Sequence, residues 1–264
     1  MEKFKNTLIW QQARKLYHNW VPRFASPHSV PSNLRHRGQG YRLLKGEGIE
    51  IGALHQPAHL PTRCHVRYLD CMSKKVAVGL FPEVDANQMV EVDWVVDLDC
   101  EDARAAVGKQ FDFVIANHII EHVANPIRFL EQLFNLTKKK GLLVLSAPDK
   151  DFTFDKARTL TPFEHLLQDF NAGVTEASED HYLDFLRGVH PEVFETEQLL
   201  QQTLSHVRRR KEHVHVWDSR SFKDFVERTL KDVLRIKAKL LVESIAQSNK
   251  LEYFSVWRKQ SDPR

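Results

Sequence analysis

Cysteine is scarce in this chain. Cys64, Cys71 and Cys100 are odd in number and lack the close pairing of a zinc ribbon or redox dithiol, so a reducing, cytoplasmic setting is expected. An excess of charge of one sign is missing too. Lys plus Arg exceed Asp plus Glu by 38 − 35 = 3, which signals neither a nucleic-acid footprint nor an acidic tail and leaves a small molecule as the expected partner. Nothing approaches about eighteen uninterrupted apolar residues, and the amino terminus opens on Glu2, Lys3 and Lys5 instead of an apolar leader core, so a soluble protein is expected. No internal repeat or low-complexity tract stands out.

What the chain does have is length and alternation. At 264 residues it can bury a full core, and one α/β domain with an insertion suits it better than two independent domains. Phe4, Leu8, Ile9, Gln12, Leu16 and Trp20 recur near helical spacing among Lys5, Arg14 and Lys15, which predicts an amphipathic helix over 3–20 that caps the core. Basic residues beside Trp10 and Trp20 leave contact with a membrane surface as the alternative. Pro, Ser, His and Arg make 22–40 an irregular connector, so 1–43 form an N-terminal unit of helix and connector. Strand-like runs at 48–53, 66–69, 92–97, 111–116 and 141–147, with a helix at about 124–137, alternate as a mainly parallel sheet does. Roughly 150–212 is helical and polar. A capped helix from Ser219 or Ser221 to about Leu230 then precedes two β-like runs, 233–243 and 251–258, joined as a hairpin by Gln247-Ser-Asn-Lys250.

Chemistry-bearing residues gather at the carboxyl ends of these strands, where open α/β sheets bind ligands. Gly48-Ile-Glu-Ile-Gly-Ala-Leu-His55 is an apolar strand running into glycine just after an acid, and Val66-Arg-Tyr-Leu-Asp70 ends in a carboxylate at about the spacing that places an acid on a ribose hydroxyl. Val95-Val-Asp-Leu-Asp99 and Phe111-Asp-Phe-Val-Ile-Ala-Asn-His118 close two further strands, the second running on into Ile-Ile-Glu-His122. The same letters spell His-x-x-Glu-His, which on one helix would be a zinc-protease signature. Here His118 comes directly off a strand and Pro126 follows four residues after His122, which argues against a long metal-bearing helix. For His122 a packed structural histidine stands beside ligand contact as a reading.

Together these motifs resemble the class I S-adenosylmethionine-dependent methyltransferases, over about residues 44–258, and within them a poorly characterised bacterial-type subgroup. The resemblance implies a Rossmann-like, doubly wound and mainly parallel sheet with a C-terminal antiparallel hairpin and a helical insertion at about 150–212. It implies S-adenosyl-L-methionine as cofactor, with Glu50, Gly52, Ala53 and Leu54 of the first motif near its methionine part and Asp70 on the ribose. Leu98 and Asp99 would meet the adenine, and Asn117 and His118 would lie beneath the sulfonium. The family's first motif carries glycines two and four residues after Gly52, where this chain has Leu54 and Gln56. Members of the class methylate sugars, natural products and other small metabolites, at oxygen or nitrogen. A catalytically silent binding or assembly protein on the same fold is the alternative, and a nicotinamide-dependent oxidoreductase would want the fuller glycine turn that this chain lacks.

The acceptor side falls to Asp149, Phe152, Asp155, Arg158 and His165, where aromatic rings interleave with charges after the fifth strand, and to His213 and His215 in the alternating run His213-Val-His-Val-Trp217. A hydroxyl acceptor needs its proton removed, and His118, His165 and His215 are the candidate bases. Two histidines on one face could also take a divalent metal; hydrogen bonding at the pocket edge is the reading adopted, and no metal is assigned.

Overall fold

The computed structural model describes residues 34–260. The helix expected over 3–20 and most of the connector lie outside them. The described residues form a seven-stranded sheet in the order β3-β2-β1-β4-β5-β7-β6, from β1 (Gly46–Ile51), β2 (Cys64–Asp70), β3 (Trp94–Val95), β4 (Phe111–Asn117), β5 (Thr137–Pro148), β6 (Ala238–Ser244) and β7 (Glu252–Lys259). The first five strands are parallel, and β7 runs antiparallel between β5 and β6. The Rossmann-like sheet with its C-terminal hairpin is the one expected.

Period-two burial explains the layers. Val114, Ala116, Leu143, Leu145 and Trp257 pack into one core with helices α4 (Pro126–Leu136) and α8 (Ser219–Arg228), while Phe113, Ile115, Val144, Phe254 and Val256 pack on the other face with Tyr41 and Leu44. Tyr41 ends α1 (Arg37–Tyr41). Two shorter helices, α2 (Lys74–Leu80) and α3 (Ala103–Val107), connect β2, β3 and β4. Between β5 and α8, helix α5 (Phe163–Ala172) packs Leu166 into the first core, while α6 (Glu179–Val189) and α7 (Glu197–Arg210) carry a further core in which Tyr182, Phe185, Leu186, Leu204 and Val207 meet Ala124 and Val214.

Local chemistry moves several boundaries. Asn125 accepts from Arg128 N at 3.0 Å and Pro126 opens α4, so the helix begins later than 124. The expected strand 92–97 shrinks to two residues because Asp93 accepts from Tyr68 N at 2.8 Å and Arg67 at 2.9 Å beside the ladder. Asp218 caps α8 in a reciprocal box with Ser221, in place of either serine alone. Of the run 233–243, only Ala238–Ser244 is strand, and α9 (Ala246–Asn249) with Lys250 at φ 61° turns the hairpin. The His213–Trp217 segment is extended but joins no strand beyond a single bridge, Asp149 to Trp217, and all of it is buried.

Antiparallel pairing of β7 puts Glu252 opposite Pro148, at the carboxyl end of β5. There the fully buried Glu252 accepts from Arg37 through two bonds of 2.6 and 2.7 Å, and meets His36 at 2.6 Å and His118 at 2.7 Å. Burial opposes its charge, but Arg37 and then the hydrogen bonds from His118, His36 and Arg37 outweigh it and hold its pKa well below the usual carboxylate range. A depressed carboxylate stabilises the fold above its unfolded pKa and ceases to as pH falls toward its folded value. Glu252→Gln should cost about 3–5 kcal/mol at neutral pH, because Arg37 is left buried and unpaired, and should flatten the loss of stability on acidification below about pH 4.5. Urea unfolding at pH 7 and pH 4 checks this; a neutral-pH loss under about 1 kcal/mol would remove the cluster from that role.

Candidate functional site

The carboxyl ends of β1, β2 and β4 open on a cavity of about 380 Å³, in the size range of small-molecule sites. Glu50, Gly52, Ala53, Leu54, Asp70, Leu98, Asp99, Asn117, His118 and His213 all line it. Gly52 has φ 68°, and a Cβ there would overlap the Ile119 side chain, so this glycine answers both a left-handed backbone and a close approach by β4's turn. Leu54 stands where the resemblance has a glycine and still takes φ 45°. Its side chain packs beside Met72 and Phe81 against Ala77, which holds the strained turn in place. Both Glu50 oxygens accept from Ala58 N, at 3.0 and 3.1 Å, bracing the loop that follows. Burial raises the Glu50 pKa to about 7.

Asp70 closes β2 with one oxygen taking Met72 N at 3.2 Å, and burial pushes its carboxyl above the ordinary range. Asp99 is more committed: one oxygen takes Ala124 N at 2.7 Å, and the other takes Lys211 Nζ at 2.7 Å. Lys211 also reaches Asp97 at 2.8 and 2.9 Å, and it ends α7 with φ 49°. The group expected on an adenine amine therefore spends its charge on a lysine that sequence reasoning did not single out. Leu98, buried beside it, supplies apolar wall.

Polar groups crowd the opposite part of the cavity. Residues 118–125 form turns and no helix, and His118 sits at φ 55°, so the His-x-x-Glu-His letters do not make a protease helix. They nevertheless converge. Glu121 Oε1 lies 3.9 Å from each of His118 Nδ1, His122 Nε2 and His213 Nε2. His122 Nδ1 meets the Lys211 carbonyl at 2.5 Å, and His213 Nδ1 meets Asp155 at 2.6 Å. Burial, then His213, lowers the His122 pKa to about 3. Burial works against a charged His213 as well, but Asp155 outweighs it and raises that ring. Glu121 is raised by burial, against His118 and His213.

The remaining acceptor candidates do not line the cavity. Asp149 is fully buried and accepts from Ser219 N and Ser219 Oγ, both at 2.7 Å, tying β5 to α8. Phe152 lies beneath Lys250, 5.2 Å from its ring centre. Asp155 acts on the cavity only through His213, and its partner Arg158 spans Asp155 at 2.7 Å and Asp184 at 2.9 Å. His165 and His215 were expected as bases, but they join His181 in a separate cluster. There His165 Nε2 and His181 Nε2 are 3.0 Å apart and the His215 ring lies 5.3 Å from that of His181. Burial and those neighbours keep the fully buried His215 well below its ordinary pKa. His213 and His215 thus serve two places: in an extended segment outside the sheet, no shared face is enforced.

Glu121, Lys211, Cys71, Met72 and Phe154 line the cavity and were missed as site residues. Of these Glu121 carried a signal as the acid inside the histidine motif, and Phe154 as one of the rings interleaved with charges after the fifth strand.

A family model described as a methyltransferase domain matches residues 28–229. Comparison with curated proteins gives no match. Among solved structures, the plantazolicin methyltransferase BpumL, in complex with a triazolic desmethylPZN analogue and SAH, matches at 10% identity and TM-score 0.50, covering 98% of this chain and 93% of that one. The CurJ carbon methyltransferase matches at 14% identity and TM-score 0.45, and the chain, 95% covered, spans only 58% of its length. N-methyltransferase NodS from Bradyrhizobium japonicum WM9 matches at 10% identity and TM-score 0.40, over 98% of this chain and 91% of that one. At these identities the likeness is one of fold.

Gly52→Ala should destabilise the protein by about 2–4 kcal/mol, the sum of a left-handed alanine and an overpacked contact. In a double-mutant cycle with Ile119→Ala, about 1 kcal/mol or more should be recovered. Additive losses in urea unfolding would show that Ile119 is not what excludes a side chain there.

Proposed function

The chain belongs to the methyltransferase domain family, and from that premise we propose that it moves the methyl group of S-adenosylmethionine to an oxygen or nitrogen of a small-molecule acceptor, a sugar, natural product or other metabolite. One observation carries this reading: Gly52, Asp70, Leu98 and His118, from four different chain segments, meet on one cavity at the carboxyl ends of the strands. Asp70 would accept from the ribose hydroxyls, Leu98 would lie against the adenine, and the turn from Gly52 to Leu54 would border the methionine part. The acceptor enters on the side of Phe154, His122 and His213, so the segment 150–212 serves as its wall.

The reaction is an in-line displacement. The acceptor atom forms a bond to the methyl carbon as the carbon–sulfur bond breaks, and sulfur keeps the electron pair and leaves as the neutral thioether. The protein's part is to align the two ligands and keep water out. For a hydroxyl acceptor, His118 takes the proton. Glu252 holds its Nε2 at 2.7 Å, fixing the ring and compensating the imidazolium that forms, in the manner of a carboxylate behind a histidine base. His122 is the poorer base because burial holds it near pKa 3. Among the described residues no helix is long and apolar enough to cross a membrane, and a cytoplasmic location accords with the free cysteines.

Calorimetric titration with S-adenosylhomocysteine tests the reading. The wild type should bind it, and Asp70→Asn should weaken binding tenfold or more, the loss of a charge-assisted hydrogen bond worth at least ~1.4 kcal/mol. Absence of wild-type binding would overturn the proposal. Binding without methyl transfer across an acceptor screen would move the chain to the non-catalytic reading.

A further inference from the structure

Glu121 poses a problem that the methyl-transfer reading leaves unsolved. Its side chain is fully buried, and among the described residues neither carboxylate oxygen has a side-chain hydrogen-bond partner. An unsatisfied buried carboxylate is among the most costly features a fold can carry, so it calls for a compensating group. Imidazole nitrogens of His118, His122 and His213 stand 3.9 Å from Oε1, beyond hydrogen-bond reach. Glu121, His122 and His213 each offer one atom, all within 4.8 Å of one another. Two ligands of a tetrahedral ion with ~2.0 Å bonds stand ~3.3 Å apart, so small side-chain rotations close the set around a cation.

The second nitrogen of each ring is already fixed. His122 Nδ1 is on the Lys211 carbonyl at 2.5 Å, and His213 Nδ1 is on Asp155 at 2.6 Å, itself held by Arg158 at 2.7 Å. Metal-binding histidines are commonly oriented in this way, one nitrogen toward a backbone carbonyl or carboxylate and the other toward the ion. The backbone reinforces the set, since Val214 N and His215 N both reach the Glu121 carbonyl, at 2.8 and 3.2 Å, and so lock His213's strand of chain to the Glu121 turn.

We propose that Glu121, His122 and His213 form a binding site for a divalent first-row transition ion, Zn²⁺ or one of similar preference, in the wall of the cavity. Two imidazoles and one carboxylate suit such ions better than Mg²⁺ or Ca²⁺, which favour all-oxygen shells. Three protein ligands leave a coordination position for an exogenous oxygen, and all three residues line the cavity. Resting on the methyl-transfer reading for this step alone, the ion's further ligand is an oxygen of the acceptor, which it would orient and acidify. The histidine trio of 165, 181 and 215, whose ligand atoms also lie within 4.8 Å of one another, is off the cavity, so a His181 variant separates binding there from binding in the cavity wall.

The 264-residue protein, stripped with a chelator, is titrated with Zn²⁺ by calorimetry and with Co²⁺ by visible absorption, and the same samples are titrated with S-adenosylhomocysteine. One equivalent of metal should bind the wild type and His181→Ala alike, while Glu121→Gln and His122→Gln, each checked for folding by circular dichroism, should bind at least tenfold more weakly. Absence of binding to the wild type, unchanged binding in both cavity variants, or loss of binding in His181→Ala with Glu121→Gln unaffected would each overturn the site. Since metal binding is read without the cofactor, a protein that binds S-adenosylhomocysteine but no metal sinks only this inference. One that binds metal but no S-adenosylhomocysteine sinks the methyl-transfer reading.

Discussion

The buried carboxylate of Glu252 is the constraint from which the site's architecture follows. It belongs to the last strand, yet its partners come from α1 and the turn after β4. A single charge desolvated in this way survives only when its donors are delivered with good geometry, and Arg37 supplies two donors in a fixed fork. Positions far apart in the chain are thereby pinned to the carboxyl edge of the sheet. The antiparallel insertion of β7 between β5 and β6 has a chemical consequence beyond edge pairing: it carries an acid from the end of the chain back to the ligand-binding edge.

Because that acid orients His118, the left-handed backbone at His118 becomes tolerable. A non-glycine residue with φ 55° carries strain of order 1 kcal/mol, held by the bond to Glu252 on one side and by the packing of Ile119 over Gly52 on the other. Leu54 and His118, two of the three left-handed non-glycine residues bordering the cavity, thus depend on each other's surroundings. Ile119 closes the space above the first turn, and Leu54 is anchored from beneath by Met72 and Phe81. Three of the six left-handed non-glycine residues among those described, Leu54, His118 and Lys211, border the cavity.

Sequence reading worked where the signal was local. Strand runs ending in Glu50-Ile-Gly52, Asp70, Asp99 and Asn117-His118 could be placed because period-two burial and a terminal polar residue are both visible within about eight positions, and each of those ends lines the cavity. Leu54 shows the limit of a residue-type rule: side-chain packing accompanies a leucine at φ 45°, a conformation that glycine would take freely. His213 and His215 failed for a different reason. Alternation predicts faces only for a strand inside a sheet, and this segment is held instead by the Glu121 carbonyl and by Asp149's neighbourhood. Asp149, Asp155 and Arg158 were chemically conspicuous because buried framework ion pairs use the same residue types as binding sites, and only the fold tells the two apart.

The two ends of the cavity differ in how their charges are settled, and that difference sets the division of labour. At the Asp99 end, Lys211 lies within 2.9 Å of both Asp97 and Asp99 and offsets one of their two charges, beside the apolar wall of Leu98. Asp70, one oxygen on Met72 N, retains capacity for hydroxyl donors. At the Glu121 end nothing in the described protein neutralises the carboxylate at hydrogen-bond distance, although burial raises the cost of leaving it so. A fold that gives its other buried acids close partners, Glu252 with Arg37, Asp155 with Arg158 and His213, and Asp149 with Ser219, leaves Glu121 with imidazoles at 3.9 Å and no closer side-chain partner among the described residues. The compensation must come from what enters the cavity or from protonation of Glu121 itself. Surrounding imidazoles, oriented by their second nitrogens, favour the first.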